Sequence, residues 1–579
     1  MDLGIIGNCK SAALIDSQAK VVWACLPDFD SPSAFASLLD PKGGYFSVET
    51  PSSAKITQKY LPATNILQTT FDDGENAFAV IDFMPRYREG TDHLRSVEIF
   101  RYLKPLKGSP QVKVKFEPKL NYAKGETVLR KYSDFIRAIN GVEDLFLYSD
   151  MSLEHVLNQK AFTLKKDHFL LMTYHEKVSI PKMDYVYEQF QKTKQYWENW
   201  SSNCRLPGYY DEEVLRSALV LKLLTYEDTG AVIAAVTTSL PEVLGEERNW
   251  DYRFCWLRDA SLMLEALKSI GHFEEARSFI RFLLRILESK QSTIQIVYGI
   301  RGSRNLEEKI LDYWEGYKSS KPVRIGNHAW TMKQNDIFGE VVHAIYLYYF
   351  HYKFEKITEE VWSLVKFLVA TILRDWKSED AGIWEYRQQK AHFTFSKMLS
   401  WVALDRGVRI AKSLNKEYIS QEWAEGAAEV RQDIERKGWN AELQSYTQAY
   451  GDKNFDASLL TAERYGFLKC DDTRWISTVQ QTANALMKNR YVFRYVNKDD
   501  FGRPKSAFIV ATLWMAKALF SIGEKQKARD IFEHLLSKSN SLGLLSEDID
   551  PQSGELLGNF PQAYSHMAVI NTANLLAKN

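Results

Sequence analysis

Up to about residue 182 the apolar positions fall in short β-rich runs, among them Ser11–Ile15, Val21–Cys25, Asn76–Phe83 and Ser96–Leu103. Turn residues such as Lys42-Gly43-Gly44 and Asp72-Asp73-Gly74 separate them, a pattern that predicts antiparallel strands packed as a β-sandwich. From Tyr185 to Trp200 the period becomes helical, and Leu206-Pro207-Gly208 breaks it, which predicts a linker helix. Beyond Asp211 nearly everything has helical periodicity. About twelve amphipathic runs can be placed, at 211–228, 259–271, 273–290, 335–353, 357–375, 394–413, 417–437, 456–464, 471–488, 508–521, 525–537 and 561–577. The expected organisation is a sandwich over 1–182, a linker helix over 183–206 and a helical domain over 207–579.

The connections between these helices alternate in length. Those after the first, third, fifth, seventh, ninth and eleventh helices are long (229–258, 291–334, 376–393, 438–455, 489–507 and 538–560), and the others are short. Antiparallel neighbours alternate in direction, so six helical hairpins closed into a ring put every long connection at one end. Long loops rich in Trp, Arg and Gly, poor in disorder-promoting residues, mark that end as the functional one.

Composition narrows the partner. Lys+Arg 74 balances Asp+Glu 74, so no basic field exists to hold nucleic acid. An aromatic content of 13% suits stacking on sugar rings as well as filling a large core. Five widely spaced cysteines without a Cys-x-x-Cys or Cys/His metal pattern read as reduced thiols. The first residues lack a basic then apolar leader, and no apolar run is long enough to span a bilayer. The expectation is a cytoplasmic protein with no metal, cofactor, nucleic-acid or membrane partner, acting on an uncharged small molecule or oligosaccharide. Whether it forms a homo-oligomer is left open.

Two loop carboxylates carry the candidate chemistry. Glu385 lies in Gly-Ile-Trp-Glu-Tyr-Arg (382–387), in the connection after the fifth helix, and Glu547 in Gly-Leu-Leu-Ser-Glu-Asp-Ile-Asp (543–550), after the eleventh. A ring brings both to one end, facing each other, as cleavage of a glycosidic bond by one acid and one base requires. Trp384 and Tyr386 beside Glu385 predict a desolvated, protonated general acid. Ser546, Asp548 and Asp550 around Glu547 predict an ionised general base. The first long connection contributes Asn249–Asp259, the densest aromatic and charged cluster. In it Arg258 and Asp259 offer a forked donor and an acceptor for two sugar hydroxyls, and Tyr252 and Trp256 a wall. Asp259 equally fits a helix N-cap. Arg301–Arg304 and Lys321–Asn327 are weaker sources of a site arginine, and His328 and His392 are isolated.

The stretches Ile6–Asp16, Trp23–Pro32, Thr237–Glu242, Arg248–Asp259, Gly382–Arg387, Phe393–Arg406 and Gly543–His566 resemble glycoside hydrolase family 15, the glucoamylase family, particularly its bacterial and archaeal branch that includes trehalases. The resemblance implies an N-terminal β-sandwich followed by an (α/α)6 barrel, and exo-acting, inverting release of β-glucose. It also implies Glu385 as acid, Glu547 as base, and Tyr252, Trp256, Arg258, Asp259 and Trp384 around the terminal glucose. Fungal members carry a second Glu after the acid, where this chain has Tyr386, so Tyr386 is expected to bear on the leaving sugar. The trehalase-like Phe-Thr-His-Ser-Lys pattern reads Phe393-Thr394-Phe395-Ser396-Lys397 here. That departure favours a glucoamylase-like α-glucosidase on short α-glucans, with α,α-trehalase as the alternative within the fold. A glucan phosphorylase or a non-catalytic sugar-binding protein are the alternatives outside it.

Overall fold

The computed structural model describes residues 1–50, 53–90, 92–94, 96–288 and 294–578. The N-terminal part is an antiparallel β-sandwich of a seven-stranded and an eight-stranded sheet. Its register follows the alternation of the sequence: Phe100 faces Phe83 and Tyr102 faces Ile81 across neighbouring strands. Central strands of the larger sheet are buried on both faces. Leu103, Leu170 and Met172 point into the sandwich core, whereas Phe100, Tyr102, Phe169 and Leu171 point the other way, under a long helix, Met183–Ser202, that lays Val186, Phe190 and Trp197 on them. This accounts for Ala77–Phe83, buried throughout and apolar except for Asp82, which pairs with Arg101.

The remaining helices form the expected ring. Its inner members are Ala260–Ser269, Asp336–Tyr346, Thr394–Ser413, Ala457–Thr461, Ile509–Ser521 and Ala563–Leu576, each packed on the next, and the last packs back on the first. Inner helices must be apolar nearly all round, and Asp336–Ile345 and Ile509–Ala516 are buried at every position. Outer helices need one apolar stripe; in Lys525–Leu536 only Ala528, Ile531, Phe532 and Leu535 are buried.

Three helices differ from their sequence pattern. The run 456–464 is a 3-10 turn over Ala457–Thr461, because the Asp456 carboxylate caps Ser458 and Gly466 turns left-handed (φ 72°). The run 335–353 passes from α to π geometry at Leu347–His351. The run 211–228 stops at Leu224, where Thr225–Tyr226 pairs with Ala231–Val232. The helix expected over 273–290 is observed over Phe273–Glu288, and its last two positions lie outside the described residues. No described helix is long and apolar enough to cross a membrane, and all five cysteines are unpaired.

The sandwich is keyed into the barrel by buried polar groups. Trp23 donates its indole N–H to the Val236 carbonyl at 2.8 Å. Arg253, almost wholly buried, makes a two-pronged pair with Asp251 (2.9 and 2.7 Å). It also donates to the Ser31 carbonyl (2.8 Å) and the Tyr122 hydroxyl (3.0 Å) of the sandwich. Removing one member of such a pair strands a buried charge. Arg253→Met is therefore expected to destabilise the protein by about 3–5 kcal/mol, read as a lower denaturant midpoint; an unchanged midpoint would refute the role given to this pair.

Candidate active site

Glu547 stands at the start of a hairpin, Asp548–Ile549 with Leu556–Leu557, that Ala507–Phe508 extends to three strands. Its backbone N–H donates to the Asn559 carbonyl, and its carbonyl accepts from Ile509 at the head of an inner helix. Asn559 in turn accepts from Thr237 Oγ1 (2.8 Å) and donates to the Trp250 carbonyl (2.9 Å), tying this hairpin to the first long connection. Gly558 is left-handed (φ 74°), and a Cβ there would come within 2.9 Å of Glu547 Oε2. Only glycine leaves that carboxylate its place.

The surroundings of Glu547 differ from those expected. It is 2% exposed, not set among solvated polar groups, and it shares its environment with two further buried carboxylates. One oxygen each of Glu242, Glu547 and Asp548 lies within 4.8 Å of the others. Such a group invites a cation, and Arg494 supplies one: its guanidinium donates to both oxygens of Glu242 and lies 3.7 Å from Asp548. Tyr252 donates its hydroxyl proton to Glu547 Oε1 at 2.5 Å. Burial, reinforced by the charge of Glu242 and only partly offset by Arg494 and Tyr252, holds the Glu547 carboxyl well above the ordinary carboxylate range. Burial raises Asp548 in the same way. The expectation of a readily ionised Glu547 is thus corrected: a carboxyl buried beside a like charge retains its proton more strongly than a solvated one.

Glu385 is presented by a strained turn. It has a left-handed backbone (φ 60°), unusual for a residue with a side chain, and the turn is closed by Tyr386 N–H to the Ala381 carbonyl (3.0 Å). Asp380 braces it by accepting from the backbone of Asn335 (2.7 Å) and Gly382 (3.3 Å). The left-handed residue sends its neighbours apart. Trp384 donates its indole to Asp456 (2.9 Å), and Tyr386 stacks between Phe393 and Tyr495 at 5.3 and 5.5 Å. The aromatic enclosure expected from these two neighbours is therefore absent, and the Glu385 side chain is 24% exposed. It accepts instead from Trp256 Nε1 at 2.9 Å and lies 3.4 Å from Arg258, whose guanidinium also fixes the Ile383 carbonyl at 2.7 Å.

One cavity is lined by both glutamates together with Tyr252, Arg258, Trp384 and Tyr386. Trp256 and Asp259 stand behind its wall. Trp256 reaches the cavity through Glu385 and packs edge-on against Tyr252 at 5.3 Å. Asp259 makes no side-chain cap to the helix it precedes; it lies 3.7 Å from Arg258 Nε, and burial pushes its carboxyl up to about 7 against the pull of that arginine. Phe395, the departure from the trehalase-like pattern, is buried in the barrel core and not in the cavity wall. Sequence reading missed Arg494 and Glu242 as members of the site. Arg494 had the signal that singled out Glu385, a charge between two aromatics in a long connection; Glu242 had none beyond its place in the Thr237–Glu242 motif. Of the weaker candidates, Arg324 packs on Trp250 (4.7 Å), as Arg387 does (4.6 Å), and both reach Glu308.

The chain can now be set beside known proteins. The model of glycosyl hydrolases family 15 matches residues 208–574, and that of the trehalase-like N-terminal domain matches residues 2–162. A trehalase of Thermoplasma volcanium is 34% identical over 98% of this chain and 92% of its own length. A trehalase of Mycolicibacterium smegmatis is 33% identical over 98% of this chain and 90% of its own. A crystal structure of a bacterial glucoamylase complexed with acarbose superposes with a TM-score of 0.73 over 99% of this chain and 93% of that one, at 14% identity, which is a likeness of fold. Sandwich, ring, cavity and motif together make this chain a member of glycosyl hydrolases family 15.

Proposed function

We propose that the protein hydrolyses a terminal α-glucosidic bond with inversion, and that α,α-trehalose is its preferred substrate. The observation that carries the reaction is the pair of unlike carboxylates facing one cavity. Glu385, partly open and held by Trp256 and Arg258, is the general acid that protonates the glycosidic oxygen. Glu547, buried and oriented by Tyr252, is the general base that takes a proton from water attacking the opposite face of the ring. Its raised proton affinity makes it a stronger base once ionised. Arg258, Trp384 and Tyr386 would contact the sugar. Trehalose replaces the glucoamylase-type substrate favoured by the motif alone, because the relatives at 30–34% identity along nearly the whole chain carry the name trehalase. The altered Phe395, which argued the other way, faces the core. Five unpaired cysteines support a cytoplasmic setting.

Hydrolysis of a panel of trehalose, maltose, isomaltose and maltotetraose, with anomers followed by NMR, tests substrate and stereochemistry together. Inversion at one ring of trehalose releases β-glucose while the leaving glucose keeps its α configuration, so equal initial amounts of both anomers are expected. Only α-glucose would mean retention, and faster cleavage of maltose would return the preference to α-glucans. Glu547→Gln and Glu385→Gln are each expected to lose at least ~100-fold in kcat while still binding trehalose. Gly558→Ala should behave like Glu547→Gln by displacing that carboxylate, and near-normal turnover in it would argue against the assigned base.

A third expectation concerns pH. The negative charge of Glu242 raises the Glu547 carboxyl, so neutralising it should lower that carboxyl and let the base ionise in more acidic solution. Glu242→Gln is expected to move the acid limb of kcat/KM to lower pH; a shift upward would contradict the cluster described above.

A further inference from the structure

A second cavity, sharing no lining residue with the first, opens where the sandwich, the Met183–Ser202 helix and the barrel meet. It encloses about 570 Å³, inside the ~300–1,000 Å³ range of small-molecule sites, which favour such junctions. One helix face lines it: Lys192, Gln195, Tyr196, Asn199, Trp200 and Asn203 recur at helical spacing, with Tyr196 and Trp200 also packing against the Val186, Phe190 and Trp197 cluster. Tyr87 enters from the sandwich, and Lys222, His272 and Glu275 from the barrel.

The chemistry of this wall selects its ligand. Three basic side chains (Arg88, Lys192, Lys222) face three acidic ones (Glu227, Glu274, Glu275). The deepest are paired with one another, Lys222 lying 3.2 Å from Glu227 and 3.0 Å from Glu275. His272 adds no charge at neutral pH, since burial pushes it down to about 4. An anion or cation would find its counter-charge already taken. Amide groups remain: Gln195 and Asn199 have no hydrogen-bonded side-chain partner among the described residues, and each presents a donor and an acceptor. Beside them Trp200 is held rigid, stacked on His272 at 3.9 Å with its indole N–H donated to Glu275 at 2.9 Å. A fixed aromatic plate next to paired donors and acceptors suits a ring with apolar faces and hydroxyl edges.

We propose that this cavity is a second, non-catalytic binding site for a neutral sugar of one or two rings. Bound there, the sugar would touch both domains and the helix that joins them. The site stands independently of the reaction proposed above.

Hydrogen exchange of the full chain tests it, in the Glu547→Gln background to suppress turnover, with trehalose and maltose each titrated until the loops around 383–387 and 545–549 are saturated. Exchange across 192–203 and 272–278 is expected to slow by about fivefold or more. Asn199→Trp, which fills the cavity from an exposed helix position, should abolish that slowing while leaving protection of the catalytic loops intact. With Glu547 restored, the same substitution should leave kcat/KM for trehalose within about twofold. Gln195→Ala, a change that removes the amide and one methylene without filling the cavity, should weaken the effect several-fold. Protection confined to the catalytic loops, or protection at 192–203 that survives Asn199→Trp, would overturn the second site. Protection at 192–203 and 272–278 alone would leave it standing and count instead against the catalytic reading.

Discussion

The buried pair of Arg253 and Asp251 is the constraint on which the site rests. Beyond its pair with Asp251, Arg253 donates to the sandwich at the Ser31 carbonyl and the Tyr122 hydroxyl. Asp251 spends its remaining acceptor capacity on the third-helix connection, taking the Gly326 N–H at 3.0 Å, and its carbonyl accepts from Asn327 at the same distance. Between them sits Tyr252, whose hydroxyl meets Glu547. Three segments that share no secondary structure are therefore fixed around one side chain by charge-assisted hydrogen bonds in a dry setting, where each bond is strong and its loss expensive. In this protein the β-sandwich is part of the active-site support.

The two catalytic candidates show how one cavity can hold carboxylates in different states of readiness. Glu385 is reached by an indole N–H and a guanidinium from the connection before the Ala260–Ser269 helix. Glu547 is reached by a phenol and surrounded by like charges. Burial first, and then the like charge of Glu242, countered only in part by one arginine, gives the second its affinity for a proton.

Much of this was legible in the amino-acid sequence, for physical reasons. Strands such as Ala77–Phe83 announce themselves because burial on both faces demands an apolar run. The ring is legible because inner and outer helices alternate and their connections alternate with them. What could not be read is whatever depends on direction at one residue or on charges distant along the chain. The left-handed Glu385 turns Trp384 and Tyr386 away from the carboxylate they flank, which no pattern of neighbours reveals. The cluster of Glu242, Arg494, Glu547 and Asp548 joins three separate connections, so its electrostatics exist only after folding. The helical pattern of 456–464 gives way to the Ala457–Thr461 turn under a tertiary demand on Asp456, which serves Ser458 and Trp384 together.

The contact between Tyr252 and Glu547 spans 295 positions of the chain, and the helix that closes the ring, Ala563–Leu576, packs against both Asp211–Leu224 and Ala260–Ser269. During synthesis the chain emerges from its N-terminus, so the seat of Glu547 is among the last parts of the site to be made. The two carboxylates can face one cavity only where the ring is closed. A chain ending before the hairpin that Glu547 begins would hold the proposed acid, Glu385, without the proposed base.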